Sequence, residues 1–531
     1  MILCFSIGTF AQDYHLGMSN FKATGDDVAQ PYFEKGLLLL HNFEYEAAAQ
    51  EFEMAQLLDP NFAMAYWGEA MCYNQPLWRQ QDLVKAKGAL YKLAVKPADR
   101  TEKAQTAVEK GLLASVELLF GEDGNLETRN EKYKNAMSEL YSRFPQHEAV
   151  ASFYALSILA ASPSNNEKEA HDEAARILHT LNAVNPQHPG ALNYLMHIYD
   201  NPAVAYKGKN AAEQYVQLAT DSKYALHAPS HIFLATGDWE KTRTSNEAAW
   251  KAAEAWVKKN KKSLEDRDYH SLWWLHYGYL QQGKYKLALE QLANMNRDAR
   301  YSKSERMRFH LAMMRGHFLV ESGMWFSDVT QISVPTMGFS ISAKNMCFFV
   351  DAMVAIEKGD FPKVQWYINQ MTDQRMVEQN AKTSFNDFRT YSTTPVVRTS
   401  GLEQELLLAE AMEWELRAIL ALKTNKIDEA MENAKKAVEL EEKTQYEPGP
   451  PVVLKPSYEL YGEILIASAK YKEAIVQFDR ALQRAPNRSL ALLGKLQAMK
   501  KLGDHEGAAQ IKSLLMKNWQ NADEQARALM Q

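Results

Sequence analysis

Apolar residues recur along this chain at three- and four-residue intervals, in runs long enough for helices, and the runs come in pairs joined by short polar turns. PYFEKGLLLLHNFEYEAAAQEFEMAQLLDP shows the pattern, with Gly36, Ala48, Phe52, Ala55 and Pro60 at fixed places. SYELYGEILIASAKYKEAIVQFDRALQRAPN repeats it with Gly462, Ala474, Phe478, Ala481 and Pro486 at the same relative places. Small residues there let two helices approach closely, large apolar ones fill the contact face, and the proline ends the second helix.

Less regular periodicity predicts helices near 80–95, 99–120 and 129–144, then a pair over 147–161 and 167–185. Later pairs include HSLWWLHYGYLQQGKYKLALEQL and MRFHLAMMRGHFLVESGMW. Regularity lapses at 324–345 and at 373–401. The second stretch, rich in Thr, Ser and aromatics, reads as a flap or mobile insertion. The expected organisation is therefore repeats over 12–323, irregular segments flanking one repeat over 324–401, and further repeats over 402–531. On the order of nine to eleven helical pairs is enough for one continuous array.

The stretch from His188 to Trp239 carries the period most clearly. His197 and His231 lie 34 residues apart, as do Asn193 and His227, and 34 is the length of a tetratricopeptide (TPR) unit. The chain resembles TPR proteins over most of its length. HPGALNYLMHIYDNP, HAPSHIFLATGDW and GPPVVLKPSYELYGE look like one exported bacterial TPR family of poorly defined function. Members of that family tend to carry HPG-x-x-HY-x-x-H and H-x-x-SHIF; here Asn193 stands where the first pattern has histidine. The resemblance implies an all-α, TPR-type helical-repeat solenoid, a right-handed superhelix of helix–turn–helix units. It says almost nothing about chemistry.

Composition narrows the function classes. Apolar content of 46% and charged content of 24% are those of a folded soluble protein. A net charge of −6 leaves no basic footprint, which argues against nucleic acid as a main partner. No run of about 20 apolar residues predicts a membrane span. The start, MILCFSIGTFAQD, has an apolar run followed by Thr9-Phe10-Ala11, so residues 1–11 read as a signal-peptide remnant and the chain as periplasmic or secreted. Cleavage there leaves Cys72 and Cys347, too few for a disulfide framework.

In TPR register the first helix of each unit faces a concave groove. Asn193, His197, His227, His231, Trp273, Tyr277 and His317 fall on groove positions, with His270 also on that face. Glu459 and Glu463 repeat the one-turn spacing in a late unit, as a groove pair or a solvated acidic pair. His227 and His231 at i and i+4 put two nitrogens on one face. With His188 and His197 they form a candidate site for a divalent transition metal, zinc or copper. Pro229 complicates this by placing His227 at a helix start, and histidines that cap helices and pack on aromatics would look the same. Walker, G-x-S-x-G, paired C-x-x-C and H-E-x-x-H signatures are all missing. The sequence therefore favours a binding or scaffold protein whose groove takes a protein or peptide partner or a small ligand. The alternative is a metal-dependent enzyme or metal-binding protein using the same histidines; whether any reaction is catalysed stays open.

Overall fold

The computed structural model describes residues 14–122, 124–162, 167–381 and 402–530. The described residues are all-α apart from one two-residue strand pair, and are built of successive helix pairs. Among the described residues the only strand pairing joins Asn74–Gln75 to Gln80–Gln81. No described helix is long and apolar enough to cross a membrane. The chain forms two compact units: residues 1–198 with 213–226, and residues 199–212 with 227–531.

In the first unit, the helices Gln30–His41, Tyr45–Leu58 and Ala63–Cys72 pack around the Phe52 ring. A Cβ at Gly36 would stand 2.9 Å from that ring, and one at Gly68 only 2.4 Å. Both positions are glycine because the ring fills the space between helices. The run expected at 99–120 divides into Pro97–Lys103 and Ala107–Leu119. Thr106 and Glu109 form a capping box that starts the second helix afresh, and that local hydrogen bonding outweighs the continuing apolar period. The helix expected at 129–144 runs from Leu126 to Arg143, started by the Asn125 side chain, which accepts from the Thr128 N–H. Glu148–Ala161, Glu167–Val184 and Pro189–Ile198 follow.

The second unit repeats the scheme. Phe478 sits between Gly462 and Gly494, where a Cβ would come within 2.8 and 2.3 Å of its ring. The irregular stretch expected at 324–345 is shorter in the structure. Ser340 caps a helix over Ile341–Glu357, leaving a 3₁₀ turn at Asp328–Gln331 within the remainder. The start of the expected flap is helical, since Phe361–Ala381 is one helix. A polar anchor explains why no apolar period marks its end: Arg375 and Thr372 both bind Glu413, which is buried. The rest of the expected flap lies outside the described residues, as does the expected signal remnant at 1–11.

Candidate metal centre

Three buried imidazoles converge in the second unit. His227 precedes the short helix Pro229–Ala235, and His231 lies within it. Pro229 takes the first helical position, where its missing N–H costs nothing, so the one-turn spacing of the two histidines survives. His270 comes from the next pair, near the start of the helix Tyr269–Gln281. One ring nitrogen from each of the three lies within 4.8 Å of the others. The residues are 2%, 5% and 2% exposed.

Hydrogen bonds set which nitrogens carry lone pairs. Asn246 donates its amide Nδ2–H to the Thr242 carbonyl at 2.7 Å, so its carbonyl oxygen faces His227 and accepts from Nδ1 at 2.6 Å. Asp200 Oδ2 accepts from His231 Nδ1, also at 2.6 Å. Both histidines thus spend their Nδ1 proton outward, and in the neutral form their Nε2 lone pairs point inward. Those two Nε2 atoms are 3.1 Å apart. Two facing lone pairs repel at that distance unless a proton or a cation lies between them. A tetrahedral zinc ion with Zn–N near 2.0–2.1 Å sets its donors about 3.3–3.4 Å apart, close to the separation found here. Neither ring nitrogen of the buried His270 has a hydrogen-bond partner among the described residues, although each normally finds one. The Trp274 ring completes the enclosure, with its centroid 4.4, 5.0 and 5.5 Å from those of His231, His227 and His270.

The electrostatics keep these groups available as ligands. Burial, then the neighbouring His231, lowers His227 to about 4. Burial, then His227, pushes His270 well below the usual imidazole range. Both are neutral at physiological pH, as a metal requires.

The other residues singled out in the sequence have different surroundings. His188 and His197 belong to the first unit. His188 Nδ1 accepts from the Ala191 N–H at 3.1 Å, which makes it a helix cap, and its ring packs 4.7 Å from that of His41. His197 Nε2 pairs with the Tyr224 hydroxyl at 2.6 Å. Asn193 is buried and donates to the His41 carbonyl. In the second unit, His317 Nε2 donates to the Pro451 carbonyl, which leaves Nδ1 to accept from Trp273 Nε1. Both nitrogens are committed, so His317 ties the loop at Pro451 to the helix bearing Trp273. The Tyr277 hydroxyl accepts from Arg488 at 2.6 Å. Only Glu459 of the acidic pair is buried: Lys455 bridges it to Glu463, whose side chain is 42% exposed, and Arg488, wholly buried, pairs with Glu459 and Glu321. Burial alone would raise the Glu459 carboxyl, yet Arg488 and Lys455 hold it at about 2.

Sequence reasoning placed His270 and Asp200 on the groove face, Asp200 one turn beyond His197, without joining either to the metal set, and it gave Asn246 no part. The available signal was the register that puts His270 on the next first-of-pair helix and Asp200 on the groove face; nothing marked the Asn246 oxygen as an acceptor.

No protein-family model and no curated protein matches the chain. Among solved structures, it is similar to yeast Tom70, with 12% identity over 95% of this chain and 96% of that one, at a TM-score of 0.30. It is similar to a tetratricopeptide repeat protein from Parabacteroides merdae, with 14% identity over 65% of this chain and 98% of that one, at a TM-score of 0.29. The TPR domain of P58(IPK) gives 13% identity over 90% and 99% of the two chains, at a TM-score of 0.21.

Proposed function

We propose that this chain is a TPR-type binding protein that holds a divalent transition metal on His227, His231 and His270. The observation that carries this reading is the pair of Nε2 atoms 3.1 Å apart, each imidazole anchored through its other nitrogen by a fixed oxygen acceptor. Metal-binding histidines are oriented in this way, through the nitrogen that does not bind the ion. His270, buried without a hydrogen-bond partner, supplies the third donor. Three neutral nitrogens suit zinc or copper and are poor ligands for magnesium or calcium, which prefer oxygen.

Calorimetric titration and metal analysis of protein purified without a His-tag test the reading. One equivalent of zinc or copper bound at neutral pH is the expected result. No saturable binding of either ion by the wild type would reject it and leave the three histidines as core packing.

A further inference from the structure

A second feature of the same unit stands apart from the histidines. A cavity of about 110 Å³ lies between the helices Pro229–Ala235, Leu402–Lys423 and Tyr471–Arg484 and the loop at 444–456. Leu234, Leu408, Val452 and Val453 give it apolar walls. Trp239, Tyr277 and Tyr458 also line it. The polar end of each aromatic is tied elsewhere: Trp239 Nε1 to the Asn487 carbonyl, the Tyr277 hydroxyl to Arg488, and the Tyr458 hydroxyl to Glu442. What they have left for the cavity is ring surface.

The charged groups of the lining are unequal. Arg484 sits 3.6 Å from Glu441, and that carboxylate also accepts from the Ser457 N–H. Their charges offset each other. Glu447 is different. Its hydrogen bond from Gln404 is long, at 3.5 Å, and no Lys or Arg among the described residues forms a salt bridge with it. Burial, then the like charge of Glu405, pushes its carboxyl up to about 7. The lining therefore offers aromatic rings, aliphatic walls and one carboxylate without a cation.

That combination is complementary to an ammonium ion. A cation gains from aromatic faces and from the half-buried carboxylate together, whereas a neutral ligand gains mainly apolar contact and an anion is repelled by the carboxylate. We propose that this cavity binds a small alkylammonium ligand, with the charged nitrogen at Glu447 and the carbon chain against Trp239, Tyr277 and Tyr458. Apolar cavities of about 150 Å³ hold benzene, so this one takes a ligand of roughly five or six non-hydrogen atoms. Binding draws Glu447 fully into its ionised form and so releases part of a proton near neutral pH.

The test is calorimetric titration of the full chain at pH 7 with butylammonium, tetramethylammonium, 1-butanol and butyrate. Saturable binding of butylammonium or tetramethylammonium is expected, with butanol at least tenfold weaker and no binding of butyrate. Repeating the titration in buffers of different ionisation enthalpy should show net proton release. Glu447→Gln should weaken ammonium binding at least tenfold while leaving zinc binding and the circular dichroism spectrum unchanged, which separates this site from the histidine centre. Should that variant not fold, the four-ligand comparison on the wild type still decides. Failure of both ammonium ligands to bind, equal binding of butanol, preference for butyrate, or unchanged affinity in folded Glu447→Gln would each overturn the proposal.

Discussion

Asp200 Oδ2 accepts a hydrogen bond from His231 Nδ1 at 2.6 Å, with both side chains buried. The carboxylate fixes the tautomer and orientation of the ring and polarises it. Asp200→Ala leaves every proposed ligand in place but frees His231 to rotate and removes that polarisation. Zinc affinity should fall about 10- to 100-fold, the usual effect of losing such an orienting partner. Competition titration against a zinc chelator measures this. An unchanged affinity would mean the aspartate serves packing alone.

His270 and His317 are both buried histidines of the second unit, and they should behave oppositely. His270→Ala removes a donor that has no other partner, so saturable zinc binding should be lost with little change in fold stability beyond a cavity effect. His317→Ala removes the link between Trp273 Nε1 and the Pro451 carbonyl and leaves both without their partner. It should cost about 1–3 kcal/mol in denaturant unfolding and leave zinc binding intact. Equal loss of binding in the two variants would refute the assignment of ligands.

The helix pairs make a test of their own. Gly68→Ala places a methyl 2.4 Å from the buried Phe52 ring, so the ring or the helix must shift. A loss of about 1–3 kcal/mol is expected. Gly88 is helical and exposed, and a Cβ there meets nothing within 4 Å. Gly88→Ala should stabilise by roughly 0.5–1 kcal/mol through helix propensity. Thermal unfolding of the two variants beside the wild type shows whether the signs differ as stated.

What the sequence could reveal follows from the range of each interaction. The helix pairs were legible because Gly36, Ala48 and Phe52 are spaced by helix geometry within a single unit, and Gly462, Ala474 and Phe478 repeat that spacing. His227 and His231 were legible as a pair because one helical turn separates them. His270 joins them from another helix, and Asp200 from a segment 31 residues from His231; no local pattern encodes such meetings. Glu459 and Glu463 read equally well as solvated or groove-facing, because their partners Lys455 and Arg488 could be paired with them only in three dimensions. The helical end of Phe361–Ala381 was missed for a related reason. Its anchor is the ion pair of Arg375 with Glu413, which leaves no apolar period to find.

Acid should act on this protein in two separable ways. In the metal-free chain, burial lowers His188, His227 and His310 to about 4 and His317 to about 3. His41, His270 and His276 are also held well below the usual range. Unfolded, each returns to about 6.5. Above that pH both states are neutral and these groups leave stability unchanged. As pH falls below 6.5 the unfolded chain takes up protons that the folded chain refuses, so stability drops until the folded pKa values are reached. Each such proton contributes a slope of about 1.4 kcal/mol per pH unit, and several act together. The melting temperature of the metal-free protein should therefore fall steeply between pH 6.5 and 4. Zinc binding to the folded chain should be less sensitive over the upper part of that window, because His227 and His270 stay neutral there. Zinc should therefore still raise the melting temperature at pH 6, and the effect should disappear at lower pH together with the fold. A melting temperature of the metal-free protein that stays flat between pH 6.5 and 4 would refute the burial of these imidazoles.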